Sequence, residues 1–250
     1  MSRVTNKESG VGHFVLIAAI VIVLVVAGAA IWSLTKNSPN TNKNNTSPSG
    51  SIAVNAPESN VCLNSFHDDT LCAFAPNVNV LGMSYIATGL ATSLNGSKST
   101  FTYENDGNND LEVTYISGNN QITAISLSGT EYVQVGSGTT WLEYTGGSSN
   151  PYASVLTLFS SFNLKFTSTT SSEFSFAKTG TAACGSLTCV EYKVTVLSAP
   201  LVKQYIYFDT SKYYLRQWSY DNPSSGVSVD ANFSYQALTI SKPSPVQSES

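Results

Sequence analysis

Gly226-Val-Ser-Val-Asp-Ala-Asn-Phe-Ser-Tyr-Gln236 is the stretch that decides the fold. Val227, Val229, Ala231, Phe233 and Tyr235 alternate with Ser228, Asp230, Asn232, Ser234 and Gln236. In a strand this period of two buries one face and leaves the other wet.

The runs before it differ. Tyr205-Ile-Tyr-Phe208 and Tyr213-Tyr-Leu-Arg-Gln-Trp-Ser-Tyr220 carry large groups on both faces, as expected where a sheet is covered on its second side by a helix, a ligand or a partner. Strands are predicted over Glu173–Lys178, Thr188–Leu197, Leu201–Asp209, Lys212–Tyr220 and Gly226–Thr239. Cys184-Gly-Ser-Leu-Thr-Cys189 sets two cysteines either side of a four-residue turn, where cross-strand neighbours come close enough to bridge. A Cys184–Cys189 disulfide follows as the expectation, since the spacing is not the Cys-x-x-Cys of a redox dithiol.

The first half repeats the pattern near Met83–Thr92, Ser99–Glu104, Leu111–Ile116, Gln121–Leu127, Glu131–Val135 and Thr139–Tyr144. Short turns rich in Gly, Asn and Ser separate these six strands, so an antiparallel meander is the economical topology. Asp106-Gly-Asn-Asn-Asp110 offers oxygen ligands at alternate positions, but a calcium loop counted from Asp106 has Leu111 where an EF-hand needs glycine. It reads as a turn. Between the halves, Asn150 caps Pro151, Tyr152, Val155, Leu156, Phe159 and Phe162, spaced three and four apart. This amphipathic helix must bury its apolar face on the sheet, as a lid, which makes the fold class α+β and mainly β, with about eleven strands.

Before the strands lies Asn60-Val-Cys-Leu-Asn-Ser-Phe-His-Asp-Asp-Thr-Leu-Cys72. One continuous helix would hold Cys62 and Cys72 roughly 15 Å apart, so a Cys62–Cys72 disulfide demands a bend or a break. A metal site of Cys62, His67, Asp68 and Cys72 lacks the close cysteine spacing of common zinc sites, and no metal or other cofactor is expected. His67 is the one histidine beyond residue 13, and no Gly-x-Ser-x-Gly elbow supplies it with a serine, so no catalytic residue is assigned.

Further upstream, Phe14 to Trp32 is a run of nineteen residues without a charge. As a helix it covers roughly 28 Å, enough for a bilayer core, and it predicts a transmembrane helix that anchors the chain in the cell membrane. A cleaved signal peptide ending near Ala27-Gly28-Ala29 is the competing reading; the run continues past that point through Trp32, an interface anchor. Arg3 and Lys7 favour a cytoplasmic N-terminus for the short arm 1–13. Residues 33–57, rich in Asn, Ser, Thr and Pro, read as a flexible linker; 58–243 read as one extracytoplasmic β domain and 244–250 as a disordered tail. Residues 1–57 hold four basic and one acidic residue, net +3; the remainder hold eight basic and fifteen acidic, net −7. An acidic exported part excludes a nucleic-acid partner, which requires a basic footprint.

The order of elements, with Cys189-Val-Glu-Tyr-Lys-Val194, Tyr205-Ile-Tyr-Phe-Asp-Thr-Ser-Lys-Tyr-Tyr-Leu-Arg216 and Phe233-Ser-Tyr-Gln-Ala-Leu-Thr-Ile-Ser-Lys-Pro243, resembles the LolA-like superfamily of periplasmic lipoprotein carriers. The resemblance implies an unclosed β-barrel, a half-barrel sheet with helices over its concave face, which receives acyl chains or other lipids. It implies no catalytic residues. A chain held by a membrane span cannot shuttle, so local reception or handover of lipid is the form the resemblance takes here. Candidate wall residues for an apolar ligand are Phe101, Tyr103, Val113, Tyr115, Phe159, Phe174, Phe176, Tyr205 and Tyr207. Two functions are thus expected in competition: a membrane-tethered binding module for lipid or another apolar ligand, and a surface structural or adhesion domain with a filled core.

Overall fold

The computed structural model describes residues 56–78, 83–108, 110–145, 150, 156, 174–196 and 201–248, with side chains from 61 onward. The expected span over 14–32, most of the linker 33–57, and the helix over 151–162 apart from Leu156 lie outside the described residues.

The chain is described from α1 (Ala56–Phe66), with two single turns, α2 (Asp69–Cys72) and α3 (Ala75–Val78), after it. Helix α1 thus begins within the stretch read as linker. It ends where His67 takes a left-handed φ of 51°, and Asp68 then caps α2 by accepting from the Thr70 and Leu71 amides at 3.0 and 3.1 Å. This break is what the cysteine spacing demanded: Cys62 and Cys72 are bridged with their Cα atoms 5.5 Å apart.

Among the described residues twelve strands follow: β1 (Tyr85–Thr92), β2 (Lys98–Asn105), β3 (Leu111–Ser117), β4 (Asn120–Leu127), β5 (Thr130–Val135), β6 (Trp141–Tyr144), β7 (Phe174–Cys184), β8 (Leu187–Val196), β9 (Lys203–Asp209), β10 (Leu215–Asn222), β11 (Val227–Tyr235) and β12 (Val246–Ser248). They form one open sheet in the order β12-β6-β5-β4-β3-β2-β1-β11-β10-β9-β8-β7. Two antiparallel meanders, β1 to β6 and β7 to β11, are joined where β11 pairs with β1. Eleven strands coincide with those expected, and the Cys184–Cys189 disulfide is present. Strand β7 runs past Lys178 to Cys184, so the bridge spans a hairpin with two turn residues rather than four.

The twelfth strand corrects the reading of 244–250 as a tail. After β11 the chain crosses the outer face of β4–β6, where Ile240 is buried with Ile125 and Tyr132 against Leu127, Trp141 and Val246. Lys242 lies 5.3 Å from the Tyr132 ring and 3.2 Å from Glu143 Oε2. Strand β12 then pairs parallel to β6, with the Trp141 amide donating to Pro245 O at 3.0 Å. The apolar periodicity of three residues is too short to announce a strand; the buried Ile240 ahead of it fixes its place.

The main core lies on the other, inner face. Phe66, 3% exposed, docks the helical segment there, with its ring 4.4 Å from Phe176, 5.1 Å from Tyr192 and 6.0 Å from Phe208. Leu71, Val78 and Leu156 are buried in the same core. Leu156 is helical and buried, as its apolar spacing predicts.

Candidate ligand-binding face

Cross-strand register defines the inner face. One row runs Tyr192, Ile206, Trp218, Ala231, Gly89, Phe101, Tyr115, Ile122, each directly opposite the next across eight adjacent strands. A second runs Phe233, Ala87, Tyr103, Val113, Ala124, Val133. Gly89 is required in the first row: a Cβ there would run into the carbonyl oxygen of Asp230 and the Phe101 ring, which fills the space above the glycine.

Of the candidate wall residues, Phe101, Tyr103, Val113, Tyr115 and Phe176 are buried on this face, and Phe174 is half-buried at its margin. Phe159 lies outside the described residues. Tyr205 and Tyr207 do not belong to the wall. Their neighbours Ile206 and Phe208 take the inner positions of β9, fully buried, and strict alternation turns both tyrosines to the outer face opposite Ser219 and Gln217. There Tyr207 has its hydroxyl pushed up by burial and by the charge of Glu191. Where a strand carries apolar bulk on both sides, sequence cannot say which set faces in; the register against Tyr192 and Trp218 decides it.

Tyr85 and Tyr235 join the face without having been among the candidate wall residues, as do Tyr192, Ile206 and Ile122. Tyr85 is fully buried, 5.8 Å from Tyr103, 5.7 Å from Phe233 and 6.2 Å from Tyr235. Burial pushes the Tyr85 hydroxyl well up and raises Tyr103 too. Tyr115 is buried with its hydroxyl outside hydrogen-bonding geometry; burial raises it, and flanking Ser99 and Ser117 offset the shift in part. The signal that could have found Tyr85 is its place two residues before Ala87 in a period-two run.

Two carboxylates pin the edges of the face. Asp68, weighed from sequence as a metal ligand and set aside on the cysteine spacing, accepts from Lys178 Nζ and from the Tyr192 hydroxyl, both at 2.7 Å on Oδ2. Burial alone would raise its pKa, but Lys178, Tyr192 and the Leu71 amide outweigh that and hold it at about 2. Because the folded value lies below the ordinary 3.8, the unfolded chain takes up the proton first as pH falls. The contact therefore stabilises the fold above pH 3.8 and loses that contribution progressively down to about 2. Half-exposed Lys178 limits the effect to ~1–2 kcal/mol. Urea midpoints measured against pH should fall less steeply over this window in Asp68→Asn than in the unmodified chain; equal slopes would remove Asp68 from the account.

The second, Asp209, is 1% exposed and accepts from the Ser211 amide at 3.0 Å, Ser211 Oγ at 2.8 Å and the Lys212 amide at 2.7 Å through Oδ1, and from Arg216 Nε at 2.8 Å through Oδ2. Burial opposes its charge, and these donors lower its pKa all the same. The Asp-Thr-Ser-Lys turn and Arg216 are thus one unit. In the β2–β3 turn, Asp106 Oδ1 accepts from the Asn108 and Asp110 amides at 2.7 and 3.2 Å, which is the work of a turn residue. Among the described residues no group of three or more His, Cys, Asp or Glu is placed to hold a metal ion.

No family model and no curated protein matches the chain. The open sheet is similar to that of MucB, at 12% identity and a TM-score of 0.45 over 69% of this chain and 61% of that one. It is also similar to the MucA/MucB complex of Pseudomonas aeruginosa (11% identity, TM-score 0.40, 69% and 64% covered). A LolA superfamily protein from Nitrosomonas europaea matches at 8% identity and a TM-score of 0.28, over 68% of this chain and 93% of that one. The chain spans less than two thirds of the MucB chains it matches. These are likenesses of fold alone.

Proposed function

We propose that the chain is a membrane-tethered, extracytoplasmic binding module for lipid or another apolar ligand, which it takes up on the inner face of the sheet. The observation that carries this reading is the apolar inner face itself, whose row from Tyr192 through Trp218, Phe101 and Tyr115 to Ile122 crosses eight adjacent strands. The floor spans eight strands, and Phe66 of α1 sets its ring against aromatic rings of β7, β8 and β9. Leu156, the described residue of the segment read as a lid, is buried in the same core. In this reading Phe14 to Trp32 crosses the membrane, residues 33–55 set the domain off from it, and the chain performs no catalysis.

A filled structural core is the competing reading, since every aromatic of the floor is already buried. Native mass spectrometry of the full chain, expressed in an oxidising compartment and measured before and after organic extraction, separates the two. An adduct of lipid mass that extraction removes is the expected result; a clean mass in both samples assigns the inner face to a packed core.

A further inference from the structure

Arg216 stands at the margin of the inner face with donors to spare. Its Nε is engaged by Asp209 at 2.8 Å, and no described residue presents an acceptor to either terminal nitrogen. Asp209 meets the fork through Nε alone: its Oδ1 takes the Ser211 and Lys212 donors and its Oδ2 takes Nε. The guanidinium is consequently fixed in one orientation. Its carbon lies 5.5 Å from the ring centroids of both Tyr214 and Tyr235, which stack on each other at 4.8 Å. The side chain is 23% exposed, so the open end of the fork is reachable from solvent.

A guanidinium with two free terminal nitrogens is a planar pair of donors matched to the oxygens of a carboxylate or phosphate, and flanking rings that exclude water strengthen such a contact. The surrounding domain is acidic, net −7 beyond residue 57, and repels a free anion from bulk solution. An anion drawn in by burial of an apolar tail escapes that difficulty. Tyr235 supplies the connection: its ring also lies 6.2 Å from Tyr85, which is 5.8 Å from Tyr103 in the floor of the inner face.

We propose that the ligand is an anionic amphiphile whose phosphate or carboxylate oxygens sit on Arg216 Nη1 and Nη2, with its tail entering the inner face past Tyr235. This rests on the reading of that face as a ligand-binding surface. Headgroup recognition at Arg216 gives the face a preference for acids that its aromatic floor could not supply.

The test is a competition on the full chain in a non-ionic detergent, with an equimolar mixture of dodecyl phosphate, dodecanoate and dodecanol read by native mass spectrometry, and inorganic phosphate in a separate arm. The unmodified chain should retain the two acids about tenfold over dodecanol. Arg216→Gln should bring that ratio to within about twofold, and Arg216→Lys, which keeps the charge and loses the fork, should leave it in between. The ratio in the unmodified chain needs no variant to fold. Dodecanol retained as well as the acids overturns the headgroup site and leaves the apolar-ligand reading standing. Inorganic phosphate held as firmly as dodecyl phosphate overturns the amphiphile in favour of a free-anion site. Retention of none of the probes overturns both readings together.

Discussion

Phe66→Ala should cost about 3–5 kcal/mol, the largest single loss available to a side chain of the helical segment. Three aromatic rings, Phe176, Tyr192 and Phe208, come from three different strands to meet this one, and each would border the resulting cavity. Cys62, 1% exposed, and Leu71, fully buried, stand either side of it in sequence, and the Cys62–Cys72 bridge holds α1 and α2 as one piece. That piece cannot settle into the gap by shifting one helix alone. Chemical denaturation should report the loss, and amide exchange should locate it, with protection falling first across residues 61–78. Protection lost uniformly across the sheet instead would mean that the segment and the strands unfold as one unit.

The second large effect is expected at Asp209→Ala, at about 3–4 kcal/mol. This carboxylate collects the Ser211 and Lys212 amides, the Ser211 hydroxyl and Arg216 Nε, and removing it leaves a guanidinium at the sheet margin without its counter-charge. The β9–β10 connection also holds the β7–β8 hairpin through the Thr210 amide, which donates to Thr188 O at 3.1 Å, so loosening should spread to the hairpin. Asp209→Asn should recover part of the loss, because an amide oxygen still accepts from the turn but carries no charge for Arg216. If Asp209→Asn and Asp209→Ala are equally damaging, the ion pair matters more than the turn.

The meanders were legible because a period of two is local: each of the eleven expected strands can be read from eight or ten residues without knowing its neighbour. The break at His67 followed from a distance, since two bridged cysteines ten apart exclude a continuous helix. What stayed hidden depends on pairs remote in sequence. Tyr205 and Tyr207 look no different from Phe101 and Tyr103 in an alternating run, and only the Ile206 to Trp218 register turns them outward. Asp68 has no role in the sequence beyond a metal site that the cysteine spacing disfavours; its partners, Lys178 and Tyr192, lie more than a hundred residues later. Arg216 was noticed as part of a motif, but its value comes from Tyr235 on the next strand.

The pairing of β1 with β11 has a consequence for how the protein comes into being. Strand β1 is made well before the partner on its second side, Val227–Tyr235, and the edge of β6 waits longer still for Val246–Ser248. Until then the first meander presents two open edges and an apolar face that belongs to the finished core, the condition under which strands pair with the wrong chain. The sheet is completed only when these later segments pair, slowly, as contacts so distant along the chain require. Without Val246–Ser248, three residues long, one margin of the sheet is left unsealed.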